Sequence, residues 1–477
     1  MDRSAKPSFN FVNLSHPDEL KDEQTQLRIR RLAMSEVGRA RRNPKTKPAK
    51  NETLLKFCKP VVRPAAIDHL GRGDVDPFAL YPIDLDETSR ALVASIFRGN
   101  SAHPRQLRGA WWPVGLSGVA AFYNVLANAR LFQLKELTGA FVQKSDSLSL
   151  SMHSRAIRAM RERMEDPEHH ASDETIGAVG SFMCYYVSYV LGKFAGWDHH
   201  RDAMASMVGM RGGVDNITDE SLRITISWAD LVGSFSQDIP SIVILPERWQ
   251  ASSRSPPGSP RLFNNISLRW KQRFPALMDW VTIFDDVNQL IMLDRGFTEK
   301  DKHLAETTGC WMEPTMVRLL AIRPLNNGSD AGNIMEEICR IGTMLFLAPI
   351  WRWLGASPVW TFTLTRNLIP VLHGYLIDWG ELKPLLVWTV YFAALETRDA
   401  RERSQFAFML AVLMRGMRIR DWDKLISVIK SVLWMDHIFA SSDDSIRDEV
   451  MSILSLPGTG DVTPALEEIE GDEAWPL

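Results

Sequence analysis

Adjacent histidines are the residues in this chain that most invite a chemical reading. His199-His200-Arg201-Asp202 sets two imidazoles beside a carboxylate, groups that hold metals or relay protons. Neighbouring side chains on a helix point about 100° apart, so the two rings cannot readily share one site. No H-x3-H with a third ligand accompanies them. His169-His170 follows Pro167-Glu168 in a polar stretch and reads as loop. His153 lies beside Ser151 and Ser154, but sequence adjacency alone does not make a nucleophile and its base, and no G-x-S-x-G elbow occurs. The carboxylate pairs Asp285-Asp286 and Glu336-Glu337 sit on helical patterns and read as solvated faces. Trp351-Arg-Trp353-Leu, followed by Trp360, could line a cavity or pack the core, and core packing is the simpler reading.

Arg211-Gly212-Gly213-Val-Asp215 has the small residues of a phosphate loop. It lacks both G-x-G-x-x-G and G-K-[ST], and no strand clearly precedes it. The stretch reads as a helix C-terminus, with Arg211 complementing the dipole and a glycine in the left-handed cap. Asp219 or Ser221 then starts the next helix, which carries Trp228 and Asp230. The cysteines, Cys58, Cys184, Cys310 and Cys339, are widely spaced and form no C-x2-C pair, against a disulfide framework or a Cys-rich zinc site. These readings lead to the expectation of no metal, no cofactor and no catalytic residue.

The charge distribution points elsewhere. Residues 21–50 hold ten Lys/Arg against three Asp/Glu, although the whole chain has a formal net charge of −3. Arg28-Ile-Arg30-Arg31 and Arg39-Ala-Arg41-Arg42 are seven residues apart, with Lys45 and Lys47 close behind. Two such clusters suit a nuclear-import signal, non-specific phosphate contact, or simple solvation of an exposed tail. Any nucleic-acid contact must be local.

The elements around these residues read as helices. Hydrophobic residues make up 45% of the 477, with 16 Trp and 20 Met, enough for a sizeable core. Apolar positions recur at helical spacing in 85–98, 113–137, 148–164, 174–194, 199–210 and 219–236. A second set covers 277–293, 313–323, 331–348, 385–396, 402–416, 422–438 and 443–456. The most strand-like run, Ser241–Leu245, stands alone. The most apolar stretches, Met344–Leu354 and Leu386–Leu395, are shorter than a bilayer span and read as core helices. The expected organisation is a flexible basic region at 1–76, an all-α body at 77–457 with a loop break at 251–262, and a mobile acidic tail at 458–477. Neither a secretory signal nor a membrane span is read, so an intracellular protein is expected.

Several stretches resemble a known family. Phe11-Val-Asn13, Lys21-Asp22, Ile29-Arg-Arg31 and Met34-Ser-Glu-Val37-Gly-Arg39-Ala-Arg-Arg42 look like a basic preamble. Ser154-Arg-Ala156-Ile157-Arg158-Ala-Met160 and Asp173-Glu-Thr-Ile176-Gly-Ala-Val179 follow in the body. The strongest part is His199, Met207-Val208, Arg211-Gly212-Gly213 and Ile226-Ser-Trp228-Ala-Asp230. Over most of 9–440 the chain is similar to the fungal-specific transcription-factor-like proteins, helical regulatory domains usually found behind a Zn2Cys6 cluster. The resemblance implies a large multi-helix regulatory domain, a nuclear location, a role in transcription, and protein partners such as a DNA-bound factor. No C-x2-C-x6-C cluster is present, so sequence-specific DNA reading does not carry over. The alternative reading is a cytoplasmic helical scaffold or small-ligand-binding protein.

Overall fold

Aspartates begin many of the helices. Asp86, Asp146, Asp219, Asp330, Asp399 and Asp421 each adopt extended backbone and accept a backbone N–H of the first turn at 2.7–3.0 Å. Such caps satisfy donors that the helix itself leaves open, each worth about 1 kcal/mol. The computed structural model describes residues 80–98, 103–141, 146–189, 194–245, 249–250, 253–254, 264–293, 309–376, 378–439 and 444–455. Among these residues every regular element is a helix. The basic residues Arg28 to Lys47, Cys58 and the acidic tail lie outside the described residues, as does most of the 251–262 break.

The first set is α1 (Glu87–Phe97), α2 (Arg108–Leu116), α3 (Val119–Thr138), α4 (Ser147–Met164), α5 (Asp173–Tyr189), α6 (Ala195–Met210) and α7 (Glu220–Gln237). The second set is α8 (Asn265–Arg273), α9 (Asp279–Leu293), α10 (Met312–Ala321), α11 (Ala331–Trp353), α12 (Phe362–Gly374), α13 (Lys383–Glu396), α14 (Ala400–Gly416), α15 (Trp422–Val432), α16 (Asp436–Phe439) and α17 (Asp444–Ser455). Helix α3 packs against both α4 and α5, α6 packs on α5, and α7 lies against α2, α5, α10 and α12, joining the two sets. In the second set α13 is the central element, packed on α11, α14 and α15, with twelve of its 14 residues buried. A fully buried Leu or Phe there contributes about 1.5–3 kcal/mol.

Tryptophans fill much of the core without stranding their N–H groups. Trp270 donates to Leu277 O at 2.8 Å, Trp280 to Thr343 Oγ1 at 2.9 Å, Trp360 to Val187 O at 2.8 Å and Trp388 to Leu433 O at 2.8 Å. Gly233 of α7 lies so close under the Trp197 indole of α6 that a Cβ there would overlap the ring. The missing side chain sets the α6–α7 approach.

The expected helices are present, with two splits and two additions. The 113–137 pattern is broken at Ser117-Gly118 into the end of α2 and α3, and the 422–438 pattern divides into α15 and α16. Helices α8 and α12 were not expected. Ser241–Leu245 is no strand: its backbone is held by Asp230, whose Oδ2 accepts from Ile242 N at 2.7 Å and Val243 N at 2.9 Å. The reading of the carboxylate pairs as solvated faces is corrected. Glu336 and Glu337 are 3% and 8% exposed, and Asp286 is 9% exposed and pairs with Arg318 at 2.8 Å. Arg340, fully buried, is held by Glu337 at 2.7 Å and by Asp238 at 2.8 Å, and Arg323 adds a second cation to Asp238 at 2.9 Å. Buried charge of this kind persists only when paired and hydrogen-bonded. Burial raises the Asp238 carboxyl, but its bonds to Arg340 and Arg323 outweigh that and hold it below the usual range.

Candidate functional site

The residues singled out by sequence do not converge. His199 is exposed, whereas His200 stacks on Phe182 at 4.9 Å, so the two rings do face different surroundings. Arg211 ends α6, with Gly212 and Gly213 at φ +80° and +107°. Its guanidinium binds Asp173 at 2.7 Å and Ala171 O at 3.0 Å, tying α6 to the start of α5. Asp230 pairs with Arg201 at 2.9 Å. Trp228 Nε1 points to Gln106 Oε1 at 3.4 Å, and Trp351 Nε1 reaches the same oxygen at 3.0 Å. Gln106 completes this node by donating to Glu313, a fully buried carboxyl whose pKa burial raises. His153 turns away from both serines: its Nδ1 lies 2.8 Å from Asn124 Oδ1 and its ring stacks on Tyr185 at 4.0 Å. With Asn124 accepting, Nδ1 carries a proton, and burial with nearby His200 lowers the ring's pKa to about 4, which keeps it neutral near pH 7.

A cavity is built around this polar interior. Helix α3 is apolar overall but places Asn124, Asn128 and Lys135 along one stripe, at i, i+4 and i+11. The cavity has a volume of about 50 Å³, and its wall includes Trp111 of α2, Asn124 and Asn128 of α3, Cys184 of α5 and Trp228 of α7. A separate space of about 10 Å³ shares Asn128, Cys184 and Trp228 as wall residues and is also lined by Ser357 and Pro358. Two buried polar atoms on the wall of the larger cavity, Asn128 Oδ1 and Trp111 Nε1, have no hydrogen-bond partner among the described residues. Asn128 is 9% exposed, and a buried polar atom left unmatched costs about 1–3 kcal/mol. His103, also on the wall, has its pKa pushed down to about 3 by burial and by Arg108, so its ring is neutral. Burial pushes the Cys184 thiol up to about 12, which keeps it protonated and a poor nucleophile.

The far end is electropositive. Lys135 Nζ donates to Ser357 Oγ at 3.1 Å and lies over the Phe141 ring at 4.7 Å. Burial, then Arg398 and Arg352, lower its pKa to about 8. Arg352 pairs with Glu396, and Arg398 covers Trp360 at 5.3 Å. Among the described residues no carboxylate lies within ion-pair distance of Lys135 or Arg398. Three cations thus gather near Glu396, and Glu136 partly offsets the charge at Lys135. Sequence reading missed Gln106, Asn124, Asn128, Lys135 and Glu313 as a set. Its only local trace is the polar stripe inside the apolar α3.

Among the described residues no three metal-ligating side chains cluster, and no helix is long and apolar enough to cross a membrane. The arrangement sets a neutral His103 and a protonated Cys184 on a largely apolar wall with two unmatched polar atoms. Compared with known proteins, the chain matches no protein-family model, no curated protein and no solved structure.

Proposed function

We propose that this chain is a transcription-regulator-like nuclear protein that acts through protein partners, with no zinc-cluster DNA-reading module within its 477 residues. The observation that carries the reading is the pair of basic clusters, Arg28-Ile-Arg30-Arg31 and Arg39-Ala-Arg41-Arg42, ahead of a large helical body. Their spacing suits the groove of an import receptor, and the body's resemblance to fungal-specific transcription-factor regulatory domains gives the role. The partner would be a DNA-bound factor, and direct DNA contact would be non-specific. Imaging of the tagged protein beside a variant with Arg39, Arg41 and Arg42 changed to Ala tests this. Nuclear signal that turns cytoplasmic in the variant supports it, and a cytoplasmic distribution of both forms sinks it.

A second reading, a non-catalytic small-ligand-binding protein, is favoured by the cavity. Its unmatched Asn128 Oδ1 and Trp111 Nε1 are polar groups on a largely apolar wall, as in ligand pockets, and the volume of about 50 Å³ restricts any occupant to a very small molecule. The two readings are compatible, since a regulator can respond to what it holds. Tryptophan fluorescence is the direct test, because Trp111 and Trp228 border the space.

A further inference from the structure

Helix α14 presents an exposed stripe beside the helix that ends the described fold. Arg401, Gln405, Phe408, Val412 and Arg415 recur at i, i+4, i+7, i+11 and i+14, so they share one face, and all five are exposed. Phe408 is 58% exposed and Val412 42%, and Phe408 is the one exposed phenylalanine among the described residues. The two apolar side chains thus sit between cations about 21 Å apart along the axis. No acid lies on the stripe. The acids beside it are already engaged: Thr397 and Arg366 hold Glu402, and Arg403 and Ser404 hold Glu449. Asp399, which caps α14, faces part of the charge on Arg401. Arg418 and Arg420, both exposed, follow Arg415 and extend the basic end. Helix α17 packs on α14, and Arg415 Nη2 donates to Ile453 O of α17 at 3.2 Å. The last described residues, up to Ser455, therefore lie beside the basic end of the stripe.

A second copy of the chain is a poor occupant, because two such stripes set arginines against arginines. The chain's own continuation has the matching chemistry. Residues 458–477 hold six acids, from Asp461 to Glu473, with Leu466 and Ile469 among them and no Lys or Arg. Leu466 is eleven residues beyond Ser455, a reach of up to about 36 Å, whereas Phe408 is only about 10.5 Å along the axis from Arg415. We propose that the stripe on α14 is a docking surface for the acidic segment 461–475 of the same chain, with Leu466 and Ile469 on Phe408 and Val412 and the acids facing the arginines. The tether makes this contact intramolecular, so a small patch suffices where a separate peptide of the same sequence would bind weakly. A partner that takes the acidic segment then competes with α14 for it.

The test uses the full chain with para-benzoylphenylalanine in place of Phe408, cross-linked by ultraviolet light, with the adducts mapped by mass spectrometry. Mixing chains of ordinary and heavy nitrogen separates contacts within one chain from contacts between copies. The expected adduct joins position 408 to residues 461–475 of the same chain. Leu466→Ser combined with Ile469→Ser should cut its yield about fivefold or more, since both side chains lose their apolar contact. Arg401→Glu should lower the yield at low salt but not at about 1 M, where the charges are screened. That substitution puts an acid in the first turn of α14, which the helix dipole favours, and circular-dichroism melts check that each variant folds. Adducts between heavy and ordinary chains, adducts only to other segments, or no adduct at all would overturn the proposal. So would a yield indifferent to the Leu466 and Ile469 changes, because the tether alone would then account for the contact.

Discussion

Asp230 carries the most demanding single job in the described fold, and its removal should show that directly. The carboxylate is fully buried on α7. Oδ1 accepts from Arg201 Nε at 2.9 Å, and Oδ2 accepts from Ser241 Oγ, Ile242 N at 2.7 Å and Val243 N at 2.9 Å. One side chain thus holds the turn after α7 and neutralises a cation on α6. In Asp230→Ala two amide donors lose their acceptor, at about 1–3 kcal/mol each. Arg201 keeps Pro240 O and the face of Trp197 at 5.3 Å, which softens its own loss. Breaking a buried pair costs about 3–5 kcal/mol, and that is the expected total. In Asp230→Asn the amide oxygen can still serve Ile242 and Val243, but the NH2 then faces Arg201, so a smaller loss of about 1.5–3 kcal/mol is expected. Urea unfolding followed by fluorescence and circular dichroism gives the ranking, with coincident transitions required before either figure is used. Hydrogen exchange reads the local effect: the Ile242 and Val243 amides should be protected in the parent and exposed in the alanine variant. A loss under about 1 kcal/mol, or amides still protected in Asp230→Ala, would refute the reasoning.

Gly233→Ala should cost about 3 kcal/mol or more in urea unfolding because its Cβ overlaps the Trp197 indole, whereas Gly209→Ala, with open space around it in α6, should stabilise by about 0.5–1 kcal/mol. Arg340→Met strands Glu337 and leaves Asp238 with only Arg323 as a cationic partner; it should cost about 3–5 kcal/mol, and Arg323→Met less, since Arg323 is partly solvated and Arg340 would remain. Acid should weaken the fold through its neutral histidines. The folded pKa of His103, about 3, lies below its ordinary 6.5, so between those values the unfolded chain binds more protons and stability falls with pH. From pH 7 to 5 His103 alone should remove about 2 kcal/mol, with His153 and His200 acting in the same direction; a flat urea-derived stability across that window, or an unchanged slope in His103→Asn, would contradict this.

The helices that showed in the sequence are those whose apolar residues repeat against one packed face, such as α5, where Ile176, Val179, Met183 and Val187 are all buried. The two that did not show lack this signal for different reasons. Helix α8 spans nine residues and buries only Ile266, Ser267 and Trp270, too little to establish a period. Helix α12 contains Pro370, which reads as a break, yet its first turns and last turn continue on either side. The errors over charge follow from a different limit. Glu336 and Glu337 occupy α11, which is buried nearly all round, and the group that makes their neighbour Arg340 tolerable, Asp238, is about a hundred residues away. No local pattern contains that partner, so solvent was the default reading for both acids. The candidate cavity fails to announce itself for the same reason. Asn124, Asn128 and Lys135 share a face of α3, and an isolated helix with that stripe would turn it to water. Packing α5 and α7 across the stripe converts a solvent-facing pattern into an internal one. What remains unmatched there, Asn128 Oδ1 and Trp111 Nε1, is a property of the assembled helices. It is therefore the fold rather than any motif that sets the chemistry of this interior.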